Sequence, residues 1–428
     1  MKNGNPKGQA SQGINGRSRV QCIVLPGGRV VVDVKETFLK TAIDIGIASL
    51  KALLRADEET LCGPYYRHKD RMRMKGNYAS RWGKANGEIT MGGQRIQIKR
   101  GRMRLNGREI LQPTYELFRD DDPLNERIFK QMLLGVSSRD YRESLEIKSM
   151  GRSTSKSSVS RRFTVMTKKK LAEWLNRQLK GLKIAALFID GKTFGEHMLI
   201  VAIGVDTQGN KHVLGLWEGS TENIEVCTML LSNLVNRGLR TDENMLVVID
   251  GSKALFKSVR QVIGNNAVIQ RCQQHKIENV KSHLSKSLHS SVESEMRRAY
   301  DAENVQTART ILQELAVRLE EKHPGAAGSL REGLDETLTV IGLNLPTALR
   351  NTFQTTNVVE STFSIVSTKT RNVKLWRSGT MALRWMVAGL VSAEKKFRRL
   401  KGYRMMPALL QALGRESKTT VDTVAEAV

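Results

Sequence analysis

No apolar run in this sequence approaches the ~18 residues that a membrane-spanning helix requires; the longest, such as MLIVAIGV at 198–205, fall far short. A transmembrane helix is therefore not expected. The N-terminal stretch MKNGNPKGQASQGINGRSR is basic but lacks the apolar segment of a secretory signal, so the chain is expected to stay in the cytoplasm. Cysteine is scarce: Cys22, Cys62, Cys227 and Cys272 lie far apart and form no disulfide framework, which leaves reduced thiols. Acid is scarce as well. Lys and Arg number 69 against 43 Asp and Glu, a formal charge of +26. So large a surplus costs self-repulsion and is most simply balanced by a polyanionic partner, with nucleic acid the leading candidate. What is present in ordinary measure is hydrophobic residues, 40% of the 428, enough to build the cores of two to four domains.

The first 18 residues, Gly, Asn, Ser and basic residues with almost nothing to bury, read as a flexible basic arm. Residues 19–122 read as a basic DNA-binding region: a short β-like run VQCIVLPGGRVVVDV, a helix from about Lys35 to Asp57, then a basic stretch. That stretch, 67–108, holds 13 Lys/Arg against Asp70 and Glu88, and Tyr65, Tyr66, Tyr78 and Trp82 punctuate it. Its end, QRIQIKRGRMRL, alternates branched and basic residues and predicts a strand with one cationic face. There Arg95, Lys99, Arg100, Arg102 and Arg104 would meet phosphates; the competing reading is a solvated charge run.

Residues 123–180 carry helix-turn-helix grammar. SSRDYRESLEIKSM predicts one helix, Gly151 the bend, and STSKSSVSRRFTVMTKK a second helix with Ser or Thr at its N-cap. In that geometry Ser155, Lys156, Ser158 and Arg161 face the major groove of double-stranded DNA. A Gly-turned helix pair also serves as plain scaffold.

Residues 181–275 read β-β-β-α-β-α-β. LKIAALFIDG, HMLIVAIGVDTQG and NKHVLGLWEGS predict an antiparallel meander. A helix over TENIEVCTMLLSNLVNRG, a strand MLVVID, a helix KALFKSVRQVIG and a strand AVIQRC follow. That order resembles the ribonuclease H-like fold, a mixed sheet whose first strand is central and pairs with the strand after the first helix. Asp190 would end the first strand and Asp250 the fourth, side by side at one sheet edge. Two anions in a partly buried site call for a divalent cation, and Mg²⁺ prefers oxygen ligands.

Residues 276–350 are polar, helical in pattern and without strand signal, an all-helical insertion into an otherwise α+β chain. The core resumes over 351–405 through LRNTFQTTNVVESTFSIVSTKTRNVKLWR. There Glu360 stands near the start of an amphipathic helix, with Asn357 and Ser364 on its side, and offers a third ligand. Three carboxylates around two Mg²⁺ ions ~3.5–4 Å apart are suited to in-line phosphodiester displacement, the chemistry of nucleases and strand transfer. Residues 366–404 hold 11 Lys/Arg against Glu394, a basic C-terminal helix expected to hold DNA across the site, and 406–428 read as a tail.

The run LFIDGKTFGEHMLIVAIGVDTQGNKHVLGLWEGSTEN, then VVIDG, RCQQHKIENV and TTNVVESTFSIVSTKTRNVKLWRSG, resembles the catalytic core of bacterial Mutator-type insertion-sequence transposases of the insertion sequence 256 type. The similarity is collinear from about residue 60 to residue 405. The family's Asp-Asp-Glu triad (DDE) falls on Asp190, Asp250 and Glu360, its insertion domain on 276–350, and its Cys-x-x-His signature on Cys272 and His275. By itself that pair cannot close a zinc tetrahedron. The resemblance implies that His275 contacts the scissile phosphate or a carboxylate behind it, and a packed cysteine with a surface histidine is the plain alternative. Where the family has Arg-Trp this chain has Leu375-Trp376, which removes one DNA contact and leaves the hydrophobic anchor; Lys369, Arg371, Lys374, Trp376 and Arg377 remain as the expected DNA-binding set.

The resemblance implies a nucleoid-associated DNA transposase, a homodimer or higher oligomer on DNA. It would bind the terminal inverted repeats of its element and target DNA, and use Mg²⁺, with Mn²⁺ able to substitute, to cut a strand and transfer the freed 3′-hydroxyl. The competing expectations are a nuclease without strand transfer and a domesticated DNA-binding regulator.

Overall fold

A computed structural model describes residues 21–25, 28–32, 34–64, 79–91, 94–119, 122–145, 155–219 and 223–415. The chain divides into two compact units, residues 1–132 with 136–162, and residues 133–135 with 163–428. The expected arm at 1–18, the aromatics Tyr65, Tyr66 and Tyr78, and the Gly151 bend lie outside the described residues.

The first unit opens with a hairpin of β1 (Gln21–Leu25) and β2 (Gly28–Val32) and a helix α1 (Val34–Cys62). An antiparallel sheet follows in the order β3 (Ser80–Met91), β4 (Gln94–Leu105), β5 (Arg108–Ile110), and then α2 (Pro113–Arg119) and α3 (Asp122–Leu133). Ile89 of β3 and Ile96 and Ile98 of β4 pack with Leu50 and Leu54 of α1 and Tyr115 of α2 to form its core.

The basic strand is present as β4, but its cations do not share one face. Side chains alternate along a strand, and the basic residues change parity between Lys99 and Arg100, so Arg95 and Lys99 lie opposite Arg100, Arg102 and Arg104. Most are also engaged within the unit. Arg95 pairs with Glu88 at 3.0 Å, and Arg100 and Arg102 share Glu109 at 3.3 and 2.7 Å. Arg104 lies over the Trp82 ring at 4.1 Å, while Lys99 is exposed.

The helix expected over 137–150 is also corrected. Its described part is a turn and a single 3₁₀ turn at Arg142–Ser144. The Ser137 hydroxyl accepts the N–H groups of Arg139 and Asp140, both at 3.2 Å, and donates to the Asp140 carboxylate at 2.8 Å, local bonds that compete with helix. The second expected helix forms as α4 (Lys156–Leu175), with Ser155, Lys156 and Arg161 exposed and Ser158 half-buried.

In the second unit β6 (Ile184–Phe194), β7 (His197–Asp206) and β8 (Lys211–Gly219) form the meander. α5 (Ile224–Asn236), β9 (Met245–Ile249), α6 (Lys253–Val262) and β10 (Ala267–Arg271) complete a mixed sheet ordered β10-β9-β6-β7-β8, with β6 central and parallel to β9. Next come α7 (Gln273–Lys281), α8 (Lys286–Tyr300), α9 (Val305–Glu320), α10 (Pro324–Arg331), α11 (Leu334–Thr337), α12 (Thr339–Gly342) and α13 (Thr347–Phe353). α14 (Asn357–Thr370), α15 (Gly379–Glu394) and α16 (Met406–Ala412) end the described chain.

Both sheet faces are covered, which is why IAALFI in β6 is buried without interruption. Leu187 and Ile189 pack under α5 and α6, whereas Ala186 and Phe188 pack under α14, α15 and α16. The helices between β10 and α14 enclose a core of their own, built on Ile277, Met296, Leu312 and Leu330.

Two expectations fail here for the same reason. α15 is not a basic helix: Ala382, Trp385, Met386, Val387, Ala388 and Leu390 bury it, and the basic residues of 366–404 lie mainly before and after it. Residues 406–413 are not a tail, since Met406, Leu409, Leu410 and Leu413 join the core under the sheet.

Candidate active site

Three parallel strand paths reach one edge of the sheet together. Ile189 of β6 stands opposite Ile249 of β9, and Ile249 opposite Arg271 of β10. The residues that follow are Asp190, Asp250 and Cys272, in a row across the sheet. The Cys272 N–H closes the row by donating to the Ile249 carbonyl at 2.7 Å. Alternation places Asp190 on the face of Ala186 and Phe188, the face that α14 covers.

The electrostatics of this edge are those of crowded anions. Asp190 is 4% exposed, and its carboxyl is pushed up to about 7, first by burial and then by Asp250 and Glu360, against the pull of His275 and the Gly191 N–H at 2.9 Å. Asp250 is raised as well, mainly by burial, although the Ser252 N–H donates to it at 2.8 Å and His275 and Arg271 oppose the shift. Among the described residues no ion pair reaches Asp190, Asp250 or Glu360.

Two helix starts face these carboxylates. Cys272 is the N-cap of α7, its Sγ accepting the His275 N–H at 3.5 Å. His275 is pushed up to about 9, first by its contact with Cys272, with Asp190 and Asp250 adding to it and burial opposing. Glu360 is exposed in the first turn of α14, where the helix dipole favours a carboxylate.

Between them stands a residue that the sequence reading passed over. Thr356 is fully buried, and its Oγ1 lies 3.0 Å from Glu360 Oε1, 3.3 Å from His275 Nδ1 and 3.6 Å from Cys272 Sγ. A hydroxyl has one proton to donate; given to Glu360, it leaves the oxygen to accept His275 Nδ1–H, and no side chain among the described residues bonds His275 Nε2. The only signal in the sequence is the i, i+4 spacing from Thr356 to Glu360 at a helix start.

Cys272, His275 and Glu360 bring potential ligand atoms within 4.8 Å of one another, a grouping that the three carboxylates do not make. The Thr356 hydroxyl is hydrogen-bonded among those atoms. The donor set that suits Mg²⁺ is Asp190, Asp250 and Glu360: all oxygen, the first buried and the second half-buried, and, among the described residues, paired with no lysine or arginine.

The predicted DNA contacts of the C-terminal segment divide. Arg371, Lys374 and Arg377 are exposed and Lys369 is half-buried at the end of α14. Trp376 instead packs inward, edge-on to Phe194 at 5.8 Å and against Gly195, whose φ of +62° and close contact leave no room for a Cβ. It anchors the segment that carries the cations.

A family model described as the Mutator family of transposases matches residues 30–399. The chain is 30% identical over 232 residues to a probable transposase for an insertion sequence element of Corynebacterium diphtheriae, covering 52% of this chain and 66% of that protein. It is 26% identical over 368 residues to the transposase for insertion sequence element IS905 of Lactococcus lactis, covering 82% and 88%. With the transposase for insertion sequence element IS256 in transposon Tn4001 of Staphylococcus aureus the identity is 26% over 285 residues, covering 64% and 70%.

Proposed function

The chain belongs to the Mutator family of transposases, and from that premise we propose that it binds the terminal inverted repeats of its own element, cuts a DNA strand and joins the freed 3′-hydroxyl to target DNA. The observation that carries this reading is the strand register that sets Asp190 beside Asp250, with Glu360 facing them from α14. The sheet order, with its central first strand, supports a ribonuclease H-like core. The helical segment between β10 and α14 is then the insertion, and the protein works as a dimer or higher oligomer because two ends are paired.

Asp190, Asp250 and Glu360 would hold two Mg²⁺ ions, with Mn²⁺ able to substitute; bound there, the metal supplies Lewis acidity for in-line displacement at a phosphodiester. The protein's own part is positional and electrostatic. β6 and β9 hold two carboxylates rigidly at a sheet edge, and α14 brings the third. His275, held by Thr356 through Nδ1, offers Nε2–H to a phosphate oxygen. Lys374 and Arg377 on the Trp376-anchored segment keep the DNA backbone near the site.

A strand-transfer assay with pre-cleaved element ends tests the reading. Joined products in Mg²⁺ are expected; cleavage without joining, on DNA that is demonstrably bound, would reduce the protein to a nuclease. Thr356→Val should leave DNA binding intact while lowering the cleavage rate by roughly 10–100-fold, the usual cost of losing a residue that orients a metal ligand. Thr356→Ser should restore most of the rate. Equal impairment by Val and Ser would show that shape, not the hydroxyl, matters.

A further inference from the structure

Where β10 ends against α9, α10 and α11 there is a second cavity, of about 630 Å³, lined by Arg271, Arg309, Arg331, Asp335 and Glu336 among others. Two of the arginines are matched: Arg309 holds Asp335 at 2.6 Å, and Arg331 pairs with Glu320. Arg271 is not. Its side chain is 7% exposed, its Nε and Nη1 have no hydrogen-bond partner, and the Glu332 carboxylate is 3.8 Å away, beyond hydrogen-bond reach and drawn toward Lys253 at 3.4 Å.

The guanidinium is nevertheless held in place. It lies over the Phe256 ring at 5.4 Å, and a Cβ on Gly333 would stand 2.5 Å from its central carbon, so the left-handed glycine at φ +61° makes room for it. A buried guanidinium with two unmet donors is costly unless a ligand satisfies it. Its planar fork matches the paired oxygens of a phosphate. Arg271 directly precedes Cys272, and its charge is felt at Asp250, whose carboxyl it helps to hold down.

We propose that this cavity is a phosphate subsite, which takes a non-scissile phosphodiester of the DNA strand while its neighbour lies at the carboxylates. Arg271 binds it from within and Arg331 from the rim. The identity of the ligand as DNA rests on the transposase reading; the phosphate chemistry does not.

Two measurements on the full-length protein separate these. In EDTA, inorganic pyrophosphate should raise the thermal midpoint of the wild type and of a remote control, Lys183→Gln, exposed just before β6 at the end of that strand away from Asp190, but not of Arg271→Gln or Arg331→Gln. On element-end DNA, each of the two arginine variants should bind more weakly and lower the slope of log K against log salt by about one. If Arg271→Gln does not fold, Arg331→Gln, at the exposed rim, carries the same test. An equal pyrophosphate effect in all four proteins, or none, overturns the subsite and leaves the transposase reading standing. A selective pyrophosphate effect in a protein that binds no end DNA keeps the subsite and overturns the DNA assignment. A selective effect with unchanged DNA affinity and salt slope overturns the subsite as a DNA contact.

Discussion

Asp190→Asn should abolish strand cleavage and, in metal-free buffer, stabilise the fold. Losing a residue that merely supports a metal ligand costs about 10–100-fold, so losing a buried carboxylate proposed as a ligand should cost more. The stability effect has the opposite sign. The carboxyl is buried and repelled by Asp250 and Glu360, and its folded value of about 7 lies well above an ordinary carboxylate. Folding is therefore disfavoured by this group once the pH exceeds the unfolded value, progressively so up to about 7, and the penalty is fully present above it. At pH 8 in EDTA the variant should melt several degrees above the wild type, at roughly 2–4 °C per kcal/mol for a unit of this size. Mg²⁺ should then raise the wild-type midpoint and leave that of the variant nearly unmoved. A variant that still cuts DNA in Mg²⁺, or that melts below the wild type in EDTA, would contradict the placement of Asp190 among the ligands.

Phe353→Ala should cost about 3–5 kcal/mol, the range for removing a fully buried aromatic ring. Phe353 ends α13 with no exposed surface and stacks on Phe188 of the central strand at 5.7 Å, with ring planes 16° apart. The pair joins the chain after the helical segment that follows β10 to the strand that carries Asp190. Its loss should lower the melting midpoint by roughly 10 °C and also slow cleavage, because Thr356 follows three residues later. Phe353→Leu should recover much of both. Denaturant unfolding of the three proteins checks this; a cost below about 1 kcal/mol for the alanine variant would mean that the site closes over the cavity.

Much of the second unit is legible from local signals. Apolar runs bounded by turn residues mark β6 to β10, and Asp-Gly ends on two of them mark the sheet edge, because strand period and turn chemistry act over a few residues. Glu360 is legible from the helical pattern around it. The errors fall where a residue's fate depends on a distant partner. The cations of QRIQIKRGRMRL change sides at Lys99-Arg100 by strand parity alone, but only the fold shows that Glu88 and Glu109 neutralise several of them. The serine at position 137 looks like part of a helix until its hydroxyl takes the turn instead. Trp385 and its neighbours look like part of a basic segment until the sheet covers them.

By itself, then, the sequence determined the strand order, the meeting of Asp190 and Asp250 at one sheet edge and the excess of positive charge, since each depends on short-range pattern or on composition. Tertiary structure alone decided that a buried threonine hydroxyl links His275 to Glu360 and that Arg271 is left with unmet donors. Those depend on which atoms are brought within about 3 Å across 80 or more residues of chain, and hydrogen-bond geometry at that range is set by packing that no local pattern encodes.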